Sequence, residues 1–269
     1  MFRLYLFGII IMFSQLNAAL SSPRSLTYIK NEREFSEIPA IATEAYGYLK
    51  NTPLSPSVTR FIFIRHGEST SNQERTIAGR KLDVGLSEEG IQQAELVGRS
   101  LKNIQIAHFY SSPSLRAQQT VACIEENLCA KAPAALDERL YEKFYGPYEG
   151  ASEQEYAPVK QAEEVENSGL EKTFEEKFAF KYHPEMESMT DVLARVTQFV
   201  REKSVPHQGQ NVLIGTHNGV LKALFMADAA SKGYDIDYRA FILGNCALLV
   251  VEVEGSEVRV MASNKLKFK

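Results

Sequence analysis

Apolar positions along this chain follow two rhythms. Thr59-Arg60-Phe61-Ile62-Phe63-Ile64 is almost continuously apolar, which predicts a strand buried on both faces. Ala107-His108-Phe109-Tyr110 and Val212-Leu213-Ile214-Gly215-Thr216 read as two further short strands. Between them the period changes to that of helices. Ser87 precedes Ile91, Ala94, Leu96, Val97 and Leu101, with Glu88 and Glu89 in the first turn, the signature of a capped amphipathic helix. Ser114 opens a second helix running to Leu128. Met189 to Glu202 predicts a third, with Val192, Val196 and Phe199 on one side, and Asn218 opens a fourth over Val220–Ala229. Asn245–Val253 and Val258–Ala262 alternate as strands joined at Glu254-Gly255. Pro39 to Lys50 predicts a short helix, and Pro53-Leu54-Ser55-Pro56 a linker. Strands alternating with helices predict an α/β fold, a three-layer α/β/α sandwich around a mostly parallel sheet.

One segment breaks the rhythm. Ala151–Glu187 holds ten acidic and four lysine side chains, a net of −6, with Tyr156, Phe174, Phe178 and Phe180 interspersed. The plain expectation for such a stretch is a solvated surface excursion.

The 269 residues are 44% hydrophobic and 24% charged, ordinary globular values. A net charge of −4 and a pI near 5.8 exclude a general nucleic-acid binder. The first residues have a different character. Met1-Phe2-Arg3 is a basic start, Leu4 to Phe13 is apolar except for Gly8, and Ser14 to Ala19 is a polar, small-residue exit. This is the layout of a signal peptide over residues 1–21, with cleavage after Ala19 or Ser21 and export of the mature chain. The apolar run falls short of the ~20 residues that span a bilayer, so no stable membrane association is expected after cleavage. Residues 22–57 then form an extension and linker, and 58–269 the main domain. Of the three cysteines, Cys246 is expected in a core strand. Cys123 and Cys129 are ~9 Å apart along a continuous helix, too far to bond. A turn after Leu128 would bring them together, and both arrangements fit the sequence.

Candidate chemistry sits at the strand ends. Arg65-His66-Gly67-Glu68-Ser69 follows the first strand directly, and carboxyl edges of open α/β sheets are where ligands bind. His66 can attack a phosphoryl group and Arg65 can hold its oxygens. Gly67 is expected to let the backbone turn and approach a ligand closely. Arg116 lies in the first turn of a helix, whose N-terminus itself favours an anion. Leu140-Tyr141-Glu142 and the third strand's end at His217 complete the set. No carboxylate or His/Cys cluster has metal-ligand spacing, so neither metal nor cofactor is expected. His207 is expected in a solvated turn, and Ser69 and Ser112 lack the surroundings of a nucleophilic serine.

These blocks, in this order, resemble the histidine phosphatase superfamily, the phosphoglycerate mutase-like proteins, from about Thr59 to about Val260. Leu86–Ala94 and Glu187-Ser188 with Arg195 fit its secondary motifs. The resemblance implies one antiparallel edge strand, and an insertion at about 151–187 that covers the site. It implies His66 as nucleophile through a phosphohistidine, Arg65, Arg116 and Asn72 as phosphate contacts, and His217 as a further wall of the pocket. Glu142 is implied as general acid and then base, with Glu138 and Glu149 as nearby alternatives. Asn218 stands where the superfamily's other branch carries an aspartic acid. One nitrogen of His66 is expected to be tied to a backbone carbonyl, because the ring must be neutral to attack. The implied activity is metal-independent hydrolysis of small phosphate monoesters. A phosphoglycerate-type mutase is the alternative, although Ser152–Tyr156 is acidic where such mutases carry arginines. A non-catalytic phospho-ligand-binding module is the third reading. Near the motifs only Arg75, Arg80, Lys81 and Lys143 add positive charge, so polyanionic substrates are expected to be disfavoured.

Overall fold

The computed structural model describes residues 43–128, 132–168, 172–232 and 243–263. The signal-peptide segment and residues 39–42 lie outside them, as does Cys129, and with it the Cys123–Cys129 question.

Among the described residues six strands form one sheet. They are β1 (Val58–Arg65), β2 (His108–Ser111), β3 (Ala135–Leu136), β4 (Asn211–Thr216), β5 (Leu248–Glu254) and β6 (Glu257–Ser263), in the order β3-β2-β4-β1-β5-β6. The first four run parallel; β5 pairs antiparallel with both β1 and β6. The expected antiparallel strand is therefore present but is not at the edge. The tight Glu254-Gly255 hairpin lays β6 outside it, with Gly255 at φ +59°.

Neighbouring residues of β1 face opposite layers. Phe61 and Phe63 pack with α7 (Met189–Ser204) and α8 (Asn218–Ser231). Ile62 and Ile64 pack with α1 (Thr43–Asn51), α3 (Glu88–Leu101) and α4 (Leu115–Glu126). This two-sided burial gives the three layers expected from the alternation. Helix starts follow their caps: Ser87 and Ser188 accept from the amides of Gly90 and Asp191. Ser114 occupies the N-cap position of α4 without a side-chain bond.

The segment before the first strand belongs to the core rather than to a loose linker. Ala45 and Leu49 of α1 are buried against the sheet. Tyr48 donates to Glu252 at 2.9 Å, and the buried Arg60 pairs with the same carboxylate at 2.6 Å. Arg60 in an otherwise apolar strand thus has a partner on each side: β5 and, through the Thr52 carbonyl at 3.1 Å, the end of α1.

The acidic segment folds as α5 (Glu153–Ser168) and α6 (Phe174–Ala179). It is not a free excursion. Tyr156, Val159 and Met186 form a small core with Ile77, Tyr145 and Tyr148. Phe178 is buried in the main core beside α7.

Candidate active site

Strand register brings the motif ends together. Arg65 is level with Thr216, and Ser111 with Gly215, so the residues that follow β1, β2 and β4 emerge along one edge. His66 is the first residue beyond β1, and its amide donates to the Thr216 carbonyl at 2.9 Å. Its ring Nδ1 lies 2.7 Å from the Gly67 carbonyl. A carbonyl only accepts, so Nδ1 carries the proton and Nε2 keeps its lone pair. Burial, then the charges of Arg116 and Arg65, hold the His66 pKa well below 6.5. The ring is neutral, as the sequence led us to expect.

Gly67 also makes a close approach within the protein. A Cβ there would lie 2.4 Å from the Gly90 carbonyl oxygen. The close approach is to the first turn of α3, which seats against the strand end. The Gly67 amide also donates to Thr120 Oγ1 at 3.0 Å, and that hydroxyl donates to the Arg116 carbonyl at 2.7 Å. His66 and Arg116 are thereby joined by two bonds through α4.

Both guanidiniums bond backbone carbonyls. Arg116 is buried and donates to Ala78, Gly79 and Leu82. Arg65 donates to the Leu243 carbonyl, while its Nε is buried without a partner among the described residues. Burial lowers the pKa of each, and Glu142 is the foremost charge opposing that. An arginine starts so high that both stay cationic.

His217 is fully buried at the N-cap position of α8, its ring centroid 5.2 Å from that of His66. Its Nε2 lies 2.8 Å from Ser112 Oγ, and its Nδ1 is buried with no partner among the described residues. Burial and the nearby Arg116 keep it neutral, far below 6.5. Two polar nitrogens without partners among the described residues, Arg65 Nε and His217 Nδ1, thus belong to residues next to His66 in sequence or in ring contact with it, and the N-termini of α4 and α8 open at the same edge. A tetrahedral oxyanion fits such a cradle.

Glu142 is buried, and its Oε1 accepts from the amides of Lys143 at 2.8 Å and Gly219 at 2.9 Å. The other nearby carboxylates are placed elsewhere. Glu138 is exposed in the one-turn helix Glu138–Leu140. Glu149 accepts from the amides of Arg80, Lys81 and Tyr145.

Asn72 joins the site less directly. It sits in α2 (Thr70–Gln73), where its Oδ1 accepts from the Ser69 amide at 3.1 Å and from Asn245 Nδ2 at 3.2 Å. The same Asn245 amide reaches the His66 carbonyl at 3.3 Å. With its oxygen committed, Asn72 has its amide nitrogen left as donor.

Ser112 and Asn245 were not singled out as site residues from sequence. Ser112 was set aside as a nucleophile; its position is that of an orienting partner for His217. Cys246 was expected in a strand, but lies in the turn before β5 at φ +56°, its amide donating to the His66 carbonyl at 3.3 Å. Burial pushes its thiol up to about 12. His207 was expected to be solvated and is instead buried, with Nε2 2.9 Å from the Tyr110 hydroxyl.

Comparison with known proteins adds the lineage. Fructose-2,6-bisphosphatase TIGAR of Xenopus tropicalis is 42% identical over 89 residues, 32% of this chain and 32% of that protein. The match therefore spans about a third of that relative's length. Phosphoglycerate mutase-like protein 4 of Arabidopsis thaliana is 30% identical over 165 residues, 61% of this chain and 68% of the other. Among solved structures, Bacillus stearothermophilus YhfR superposes with a TM-score of 0.62 at 28% identity, covering 78% of this chain and 98% of its own. The family model for the histidine phosphatase superfamily, branch 1, matches residues 61–265. That span takes in every strand end converging on His66, and the chain belongs to this superfamily.

Proposed function

We propose that this protein hydrolyses small phosphate monoesters through a phosphohistidine. The observation that carries the reading is the contact of His66 Nδ1 with the Gly67 carbonyl, which leaves Nε2 as the lone-pair nitrogen of a buried ring near the charges of Arg116 and Arg65. In the first step Nε2 attacks phosphorus, a P–N bond forms and the ester P–O bond breaks. Glu142 gives its proton to the departing alkoxide. In the second step water attacks phosphorus, Glu142 takes up its proton, and the P–N bond breaks to restore His66. Arg65, Arg116, His217 and the Asn72 amide hold the phosphoryl oxygens as charge moves onto them.

Small substrates with a single phosphate are favoured because two of the four neighbouring cations already have carboxylate partners. Lys143 is buried against Glu163, and Arg80 pairs with Glu187. That pairing lowers the positive charge offered to a second phosphate. No metal has a part in these steps, and among the described residues no three His, Cys, Asp or Glu side chains form a metal-binding group. The leader-like pattern of residues 1–21 supports action outside the cytoplasm.

The test is nitrophenyl phosphate hydrolysis by the wild type and by His66→Ala, with acid-labile phosphoenzyme trapped by rapid quench. The wild type should form it and turn over in excess chelator, while the variant should do neither. Wild-type turnover by His66→Ala would rule out the mechanism.

A further inference from the structure

Two arginines meet at the backbone of the acid. Arg80 Nε donates to the Glu142 carbonyl at 3.3 Å, and Arg195 Nη2 donates to the same oxygen at 3.1 Å. One carboxylate, Glu187, pairs with both guanidiniums. Glu187 also accepts from the Phe144 amide at 2.9 Å, while its own amide donates to the Phe144 carbonyl at 2.9 Å. Residues 142–144 are therefore gripped from both sides by charged groups 43 or more residues away in sequence.

Arg80 differs from Arg195 in where it stands. Arg195 is on α7, with only 13% of its side chain exposed, and it also donates to the Arg139 carbonyl at 2.6 Å. Arg80 is 32% exposed and belongs to the 78–82 loop. The carbonyls of that same loop receive the Arg116 guanidinium, and Glu149 fastens the loop through the amides of Arg80 and Lys81. One short loop thus binds the phosphate clamp through its backbone and the acid's backbone through its side chain. Proton transfer to a leaving group is sensitive to displacements of ~1 Å, so a shared mounting for clamp and acid has a direct kinetic consequence.

We propose that Arg80 is a positioning residue for Glu142, holding its carboxyl in register with a phosphate bound at Arg116. The proposal rests on the reading of Glu142 as general acid. It makes the effect of Arg80 depend on the leaving group. An alkoxide needs the proton; nitrophenolate leaves without it.

The experiment measures kcat/KM for Arg80→Gln, Arg80→Lys and Glu142→Gln with glycerol 3-phosphate and with nitrophenyl phosphate. This ratio reports the steps through leaving-group departure and not the shared hydrolysis of the phosphoenzyme. Arg80→Gln should lose about tenfold or more on the alkyl ester and less than about threefold on the aryl ester, in the pattern of Glu142→Gln. Arg80→Lys should fall between, because a single ammonium does not reproduce the guanidinium fork. It also decides the question alone if Arg80→Gln does not fold. Equal losses on both esters, or none, would overturn the role of Arg80 while Glu142→Gln stays selective. If Glu142→Gln is itself unselective, the assignment of the acid fails and the Arg80 proposal falls with it.

Discussion

At the scale of single residues, the site depends on where hydrogens and carboxylates are held. Gly219 is the position that sets Glu142. A Cβ there would lie 2.2 Å from Glu142 Oε1, and the clash is with the free end of a side chain rather than with backbone. Gly219→Ala should therefore still fold, with a lowered melting midpoint, while turning the carboxylate off its two amide donors. We expect the alkyl-ester kcat/KM to fall by about tenfold or more, with the aryl ester affected much less. Unchanged kinetics on both esters would show that the carboxylate works from another position.

At the scale of elements, buried polar groups decide how helices dock on an otherwise apolar sheet. The Arg60–Glu252–Tyr48 cluster ties α1 to β1 and β5, and Tyr48 lies under the Arg60 guanidinium at 5.1 Å. Removing Arg60 leaves Glu252 without its main partner and leaves a void in the strand. Arg60→Ala should cost about 3 kcal/mol, a drop of roughly 6–12 °C in melting midpoint for a chain of this size. The proposed phosphatase activity at low temperature should persist, since the cluster lies at the opposite end of β1 from His66. A melting point equal to the wild type's would mean that α1 is held by its apolar contacts alone. The Gly67–Gly90 contact docks α3 in the same sense, but there the near atoms are backbone.

At the scale of the whole molecule, the site opposes stability in acid. His66 and His217 are kept neutral by burial and by the arginines, whereas in the unfolded chain each titrates near 6.5. Their folded values are depressed, so both states are neutral at high pH and no stability depends on them there. As pH falls below about 6.5 the unfolded chain takes up protons that the folded chain refuses, and stability declines. Urea midpoints at pH 7.5 and 5.5 should show this loss in the wild type, and a smaller loss in a His66→Asn/His217→Asn double variant. Equal losses would mean that the two imidazoles are not the source.

The layers, the strand ends and the helix starts were legible along the chain because each arises from near neighbours. Alternating Phe and Ile in β1 dictates which layer each side chain enters, and Ser87 caps a helix three residues away. The cluster of His66, Arg65, Arg116, Glu142 and His217 was legible for a related reason: Arg65 ends a strand, His66 and His217 directly follow one, Arg116 is in the first turn of a helix and Glu142 follows a short one, along the edge where a parallel sheet collects ligand groups. Strand order was not legible. A tight hairpin is compatible with β5 inside or outside its partner, and only pairing with β1 places it inside. The sequence pointed to Glu142 ahead of Glu138 and Glu149 only through the family resemblance; that Glu142 is buried on the Gly219 amide is a feature of the packed molecule. Ser112 meets His217 across 105 residues, and Asn245 meets His66 across 179. Such pairs depend on how distant loops come together over the sheet edge, a property of the packed molecule that no local pattern of residues contains.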